Sequence, residues 1–393
     1  MIKIALLGFG TVGKGTFEII NQQQEAFQKV TGKTLKVVKI LDRRSTTDIP
    51  LEDGILTDQF EEVLKSKPDI IAEMTGDIEG AHRFIIQALE SKIHVVTANK
   101  AVVAKYLEEF LDIADRHKVK FYFEPAVAGV VPIVREIKMQ SVINRIEKIY
   151  GILNGTGNYI LYHMMNKELE FNQVLKEAQD LGFAEADPTD DIKGYDAMRK
   201  LRILSTIAFH TKITNEDIIV EGFDRIAPVD IEYIRTIKGR VKHLALLQRI
   251  NSGYQAIIEP AILSQNSYLG TVEDALNAIE IFGNHFGDLR FMGAGAGKIP
   301  TGNAVVEDIL DISLGNQHPL YFDDSLRNLN DQLEGQYYFR IDKNLAFPKE
   351  WISKKTMTKQ YQQIETTKIP RKQLLTFIET HKIVDYFYAR LEM

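Results

Sequence analysis

The chain has 393 residues, 45% of them hydrophobic, 26% charged and 9% aromatic, with ordinary numbers of glycine (26) and proline (11). That is two to three times a ~150-residue domain, so two or three cores are expected, and global disorder or a fibrous repeat is excluded. Lys and Arg number 48 against 54 Asp and Glu, a net charge of −6, so no basic excess exists to draw in nucleic acid or anionic lipid.

The opening MIKIALLGFG meets glycines too early for a signal peptide, and no uncharged run reaches the ~18 to 20 residues that a bilayer demands. Residues 2–7 are a short apolar run ending at Gly8, and a helical periodicity over 12–26 follows, so the chain opens as strand, tight turn, helix. Further strands are expected at 35–41, 69–74, 94–98 and 120–124, with helices at 58–66, 79–91 and 103–117. Such alternation implies right-handed crossovers and a parallel sheet. After Pro125 and Pro132 the character changes: helices over 156–181, 192–209 and 273–284 and strands at 148–153 and 243–250 suit an α+β unit. Glycine-rich pieces at 293–297 and 300–302 lead into AVVEDILDISL, read as a helix returning to the first domain. The more polar 323–393 holds strand candidates YYFRI and DYFYARL and a helix near 371–381. The boundaries drawn are 1–130 plus 300–322, 131–299, and a short β-rich module at 323–393.

The strongest local signal is Gly8, Phe9, Gly10, Thr11, Val12, Gly13, a G-x-G-x-x-G directly after a strand and opening a helix. Its glycines permit a tight turn and close approach to a pyrophosphate, and the helix N-terminus offers unpaired N–H donors to the anion. The expected fold is therefore α/β, a Rossmann-type doubly wound parallel sheet with a second α+β catalytic and dimerisation domain. Asp42 closes the second strand and is followed by Arg43 and Arg44. A carboxylate there favours NAD through the ribose 2′-OH, a guanidinium favours NADP through a 2′-phosphate, and a solvated turn is the plain alternative; the cofactor form stays open between NADP and NAD. Thr75 and Gly76 end the strand expected beneath the nicotinamide half, and Lys100 of TANK falls at the carboxyl end of the next, where ligands of open α/β sheets sit.

The block 182–201, GFAEADPTDDIKGYDAMRKL, crowds Glu185, Asp187, Asp190, Asp191 and Asp196 ahead of Lys200. Asp196 and Lys200 are four residues apart and share a helical face. A neighbouring carboxylate favours a protonated lysine while desolvation opposes it, a tension that suits proton transfer; the plain alternative is an acidic first turn with a surface ion pair. Small-residue turns at 124–134 and 151–159 let backbone carbonyls approach a ligand or a hard cation. No H-E-x-x-H or G-x-S-x-G is present, which removes zinc and serine hydrolases.

Taken together, GFGTVGKG, TANK, EPAVAGVVP, GILNGTGNYIL, the 182–201 block and GAGAGKIPTGNAVVEDI, in this order over about 1–320, resemble homoserine dehydrogenase. The resemblance implies interconversion of L-homoserine and L-aspartate 4-semialdehyde with NAD(P), in the aspartate-derived route to threonine and methionine. It implies Lys200 as the proton donor and acceptor, Lys100 as a second lysine near nicotinamide and substrate, and Glu185 and Asp196, with neighbouring Asp191, as substrate-binding carboxylates. Gly182 and Gly297 match positions lining the cofactor side. Glu124, Val127, Gly129 and Val131 match the ligand positions of a sodium-like cation. The pattern departs where Val130 follows Gly129 and where Gly302 and Asn303 follow Thr301, and the tail is short for the ACT module that often ends the family, leaving at most a degenerate one.

Partners expected are a small-molecule substrate and a second copy in a homodimer, with no nucleic acid and no membrane, in the cytoplasm. An aspartate semialdehyde dehydrogenase is excluded because its acyl-enzyme step needs a cysteine and the chain has none. The alternative of a different class is a non-catalytic Rossmann nucleotide-sensing or regulatory protein.

Overall fold

A computed structural model of the protein describes residues 1–43, 49–167, 169–317, 320–322 and 326–393; Arg44 lies outside them. Contacts divide the chain into two units, Met1–Ile143 with Thr206–Thr214 and Gly293–Phe322, and Asn144–Ser205 with Asn215–Met292 and Asp323–Met393. These units differ from the boundaries drawn on the sequence: 131–143 stays with the first, a short piece of the second half joins it, and 323–393 groups with the second.

The first unit holds β1 (Ile2–Leu7), α1 (Thr11–Gln22), α2 (Gln24–Thr31), β2 (Leu35–Leu41), β3 (Leu56–Thr57), α3 (Phe60–Lys65), β4 (Ile70–Glu73), α4 (Ile78–Glu90), β5 (His94–Thr97), α5 (Lys100–His117) and β6 (Phe121–Tyr122). All pairings are parallel and the strand order is 3-2-1-4-5-6, the progression of the order turning back between β1 and β4. This is the Rossmann order, whose switch point faces the first glycine turn. The strands are near-continuous Val, Ile, Leu and Ala because helices cover both faces, and Ile4, Leu6, Ile40, Ile70 and Val96 share one core cluster with Val305 and Ile309. Those last two come from the helix Lys298–Leu314, the returning helix expected from AVVEDILDISL. It crosses α1 where neither backbone carries a side chain: a Cβ on Gly15 would collide with the Lys298 carbonyl, and one on Gly302 would lie 2.9 Å from the Gly15 carbonyl carbon.

In the second unit, helices Gly155–Lys167, Phe171–Asp180 and Tyr195–Phe209 as far as Ser205 accompany a mixed sheet, eleven-stranded among the described residues. Its main path runs Gly287–Ala294, Leu276–Gly283, Ile146–Ile152, Gly239–Ile250, Gly253–Ser264, Phe387–Glu392, Tyr337–Asp342, Tyr361–Thr366, Ile352–Met357. Two expectations are corrected here. The helix read over 273–284 is the strand Leu276–Gly283, paired antiparallel with Ile146–Ile152 through Ala278 and Ile152; sheet pairing overrides the weak local helical pattern. The single helix read over 156–181 is two, because Glu170 starts the second with a capping box to Gln173.

The tail packs its own core of Tyr337, Phe339, Ile364, Leu374, Phe377 and Tyr388. It also extends the sheet, since Phe387–Glu392 runs parallel to Gly253–Ser264 with Ala261 opposite Arg390. Among the described residues no helix is long and apolar enough to cross a membrane.

Candidate active site

In the first unit the chain leaves β1 through Gly8, whose φ of +90° is a left-handed conformation that only glycine adopts cheaply. A Cβ on Gly8 would also lie 2.8 Å from the Met74 carbonyl oxygen, and one on Gly13 would collide with the Gly8 carbonyl. Gly10 is the N-cap of α1, with no side chain closing the first turn and no atom within 4 Å of where a Cβ would stand. Thr11 and Val12 begin the helix, and Phe9 is buried beneath it, edge-on to Phe17 with ring centroids 5.6 Å apart. Such a turn fits a dinucleotide pyrophosphate: its cradle is bare of side chains and the helix dipole points at it.

The Asp42 carboxylate accepts the Phe9 backbone N–H at 2.8 Å and so pins the glycine turn to the end of β2. Arg43 is almost fully exposed and its guanidinium stands 3.9 Å from Asp77, the residue that caps α4. Both groups sit at the end of β2 beside the glycine turn, so a carboxylate and a guanidinium are both present there.

Thr75 and Gly76 follow the end of β4, and Lys100 follows the end of β5. A residue not singled out in the sequence, Glu73, ties those ends together: its carboxylate is fully buried and accepts the Thr75 N–H (2.7 Å), the Thr75 hydroxyl (2.6 Å) and the Thr97 hydroxyl (2.6 Å). Burial pushes its pKa up to about 7, against the pull of those hydrogen bonds. Asn99 donates to the Thr75 carbonyl at 3.0 Å and accepts from Val102, capping α5. Lys100 is the first residue of that helix and is half-buried. Gly297 is the N-cap of Lys298–Leu314.

Glu124 is buried, and both of its oxygens hold the N-terminus of helix Ile133–Gln140, accepting N–H from Val134 (2.8 Å) and Arg135 (2.6 Å). Burial raises its pKa to about 7 despite these bonds. Val127, Gly129 and Val131 follow in a buried loop, held where Val130 N–H meets the Ala294 carbonyl at 3.2 Å. Buried Lys138 stands over the Phe123 ring at 4.1 Å, and its pKa falls to about 8 through desolvation.

In the second unit, helix Tyr195–Phe209 presents Asp196 and Lys200 on one face, both nearly buried. The Lys200 ammonium donates to Asp196 Oδ2 and to the Leu153 carbonyl, each at 2.7 Å. Asn154 bridges the two acidic segments, its amide donating to Asp191 Oδ1 at 2.6 Å and Asp196 Oδ2 at 2.8 Å. Its own side-chain oxygen accepts the Gly157 N–H at 2.6 Å, and fully buried Asn277 shares the Leu153 carbonyl at 2.8 Å. The structure thus gathers Lys200, Asp196 and Asp191 and adds Asn154, which lies inside the GILNGTGNY turn but carries no side-chain signature of its own. Glu185 is exposed on the loop after helix Phe171–Asp180, with Gln179 donating to its main-chain carbonyl at 3.1 Å. Gly182 is exposed beyond the end of helix Phe171–Asp180.

Residues 132–310 match the family model described as homoserine dehydrogenase, and residues 8–124 match that described as homoserine dehydrogenase, NAD binding domain. The homoserine dehydrogenase of Bacillus subtilis is 38% identical over 314 residues, 79% of this chain and 72% of its own, and that of Pseudomonas aeruginosa is 36% identical over 312 residues, with the same coverage. Among solved structures, a homoserine dehydrogenase from Thiobacillus denitrificans superposes with a TM-score of 0.91 at 33% identity, covering 100% of this chain and 98% of that one. A hyperthermophilic archaeal homoserine dehydrogenase solved in complex with NADPH gives 0.67 at 26% identity, over 81% of this chain and 99% of that one. With a bare glycine turn in one unit, a lysine held between carboxylate and carbonyl in the other, and both halves matched in order, the chain belongs to the homoserine dehydrogenases, NAD(P)-dependent oxidoreductases of amino-acid biosynthesis.

Proposed function

We propose that Lys200 moves the proton in the interconversion of L-homoserine and L-aspartate 4-semialdehyde. In reduction its ammonium gives a proton to the aldehyde oxygen; in oxidation its amine takes the hydroxyl proton back. The observation that carries this reading is the pairing of Lys200 with Asp196 and the Leu153 carbonyl, which fixes the amine's direction and shields it from bulk water. Asp196, Asp191 and the exposed Glu185 are assigned to the substrate's ammonium, which orients the other end of the molecule. Lys100 is assigned as a second lysine of the reaction, stabilising charge on the reacting oxygen.

The bound nicotinamide supplies or accepts the hydride. Gly8, Phe9, Gly10, Thr11, Val12 and Gly13 hold the pyrophosphate, Asp42 and Arg43 meet the adenosine ribose of NAD or NADP, and Thr75, Gly76, Gly182 and Gly297 line the remainder. The first unit takes the dinucleotide; the second takes the substrate and forms the contact of a homodimer. A monovalent cation such as sodium is held by Glu124 with the carbonyls of Val127, Gly129 and Val131; each Glu124 oxygen keeps a second lone pair beside the N–H it accepts. Work in the cytoplasm suits a chain without cysteine.

The test is oxidation of NADPH, and separately NADH, by aspartate 4-semialdehyde. Lys200→Ala is expected to lose about 10²- to 10⁴-fold in kcat while NADPH still binds by fluorescence titration. Near-normal turnover in that variant would overturn the assignment. Replacing NaCl with choline chloride tests the cation, and light scattering at micromolar protein tests the dimer.

A further inference from the structure

Helix Tyr195–Phe209, which carries Lys200, starts from Gly194, whose carbonyl accepts the first helical bond from Met198 at 2.9 Å. Gly194 has a φ of +88°, and a Cβ there would lie 2.7 Å from the His243 ring carbon Cε1. The His243 ring therefore abuts the point at which the lysine helix begins. It is buried, with the Phe223 ring centroid 5.0 Å away. Its Nε2 lies 2.9 Å from the Glu221 carbonyl, so that nitrogen carries the proton and donates, while Nδ1 has no hydrogen-bond partner among the described residues. Desolvation lowers the ring's pKa to about 4, which keeps it neutral.

Glu221 is held in turn by the C-terminal segment. Its carboxylate accepts the Tyr388 hydroxyl at 2.8 Å and the Arg371 guanidinium at 3.3 Å, and Arg371 also donates to the Tyr388 oxygen at 2.6 Å. The same turn grips the acidic loop directly, since the Phe223 N–H donates to the Ile192 carbonyl at 3.1 Å.

We infer that His243 is a positioning residue for Lys200: its ring is the wedge that sets the start of the lysine helix, and the C-terminal segment holds that wedge through Glu221. This rests on the reading of Lys200 as the proton-transfer residue. The ring acts through shape and one donated hydrogen bond and touches no reacting atom.

The experiment compares His243→Leu, His243→Gln and Tyr388→Phe by kcat, KM for both substrates, the solvent deuterium isotope effect on kcat, and melting temperature, with Lys200→Ala in parallel. His243→Leu is expected to lose at least tenfold in kcat with NADPH affinity unchanged, and its isotope effect rises because a misplaced amine makes proton transfer limiting. His243→Gln, which restores an N–H toward Glu221, recovers to within threefold of wild type. Tyr388→Phe, which removes a single hydroxyl and keeps the fold, loses two- to fivefold in kcat with the same rise in isotope effect. Two outcomes overturn the inference: His243→Leu or Tyr388→Phe with wild-type kcat and isotope effect at temperatures where each is folded, or Gln and Leu at 243 equally impaired. An active Lys200→Ala enzyme would instead remove the underlying reading, whatever the His243 variants do.

Discussion

The Lys200 ammonium lies 2.7 Å from Oδ2 of Asp196, one turn earlier on the same helix, and the pair is almost entirely removed from solvent. The Asp196 oxygen that receives the lysine also receives the Asn154 amide, so the pair's geometry depends on a residue from another segment. Asn154→Ala is expected to lower kcat/KM for homoserine about ten- to hundredfold, the equivalent of the ~1.5 to 3 kcal/mol that a hydrogen bond to a charged group contributes. KM for NADPH should stay at its wild-type value. Steady-state kinetics with each substrate varied decide it, and an unchanged kcat/KM would reduce Asn154 to a local turn residue.

The glycine turn separates folding from binding. Gly13→Ala places a methyl against the Gly8 carbonyl and is expected to lower the melting temperature of the apoprotein by several degrees. Gly10→Ala meets open space in the protein, so the apoprotein's melting temperature should hold while NADPH affinity falls about tenfold or more, the methyl standing where the pyrophosphate approaches. Equal losses of stability in both variants would contradict this division.

The end of β2 offers a carboxylate and a guanidinium side by side. One Asp42 oxygen is already committed to the Phe9 N–H, whereas the Arg43 side chain is 94% exposed with its guanidinium 3.9 Å from Asp77, a solvated pairing for which a 2′-phosphate would compete. Arg43→Ala is expected to raise KM for NADPH about five- to twentyfold, the worth of a charge-assisted contact at a solvated site, and to leave KM for NADH within twofold. A parallel rise for both cofactors would move the phosphate contact elsewhere.

Lys242 is buried in the sheet of the second unit, donating to Asn158 Oδ1 at 2.9 Å and to the Val272 carbonyl. Desolvation, aided by Arg240, lowers its pKa from 10.5 to about 7. Between those two values the folded state holds fewer protons than the unfolded chain, so this lysine makes stability rise with pH, by up to about 1.4 kcal/mol per unit inside the window. Chemical denaturation of wild type and Lys242→Met from pH 7 to 9.5 checks it: the wild-type curve should climb relative to the variant. Parallel curves would place the lysine's folded pKa near its ordinary value.

Several parts of the molecule were legible without coordinates. The G-x-G-x-x-G turn and strand–helix alternation depend on contacts within about 30 residues, and the parallel sheet with its switch point follows from them. The Asp196–Lys200 pair is a consequence of helical spacing. Reading failed where local preference was weak: residues 276–283 have no strong helical or alternating pattern, and they are a strand because Ile146–Ile152 offers an unpaired edge. Glu73, at the start of the strand end EMTG, carried no role of its own because an acidic residue ending a strand looks solvated until Thr75 and Thr97 are folded around it.

By itself the amino-acid order determined the dinucleotide turn, the lysine with its carboxylate neighbour, and the family. Tertiary structure alone decided that the Leu153 carbonyl, 47 positions from Lys200, and Asn154, 42 from Asp196, complete that site. It also decided that the last strand of the tail joins the second unit's sheet and that Tyr388 reaches Glu221. Turn chemistry and helical periodicity act between neighbours and are written in short stretches of sequence. Which buried polar groups satisfy one another is settled only when distant segments lose water together, and no local pattern records that choice.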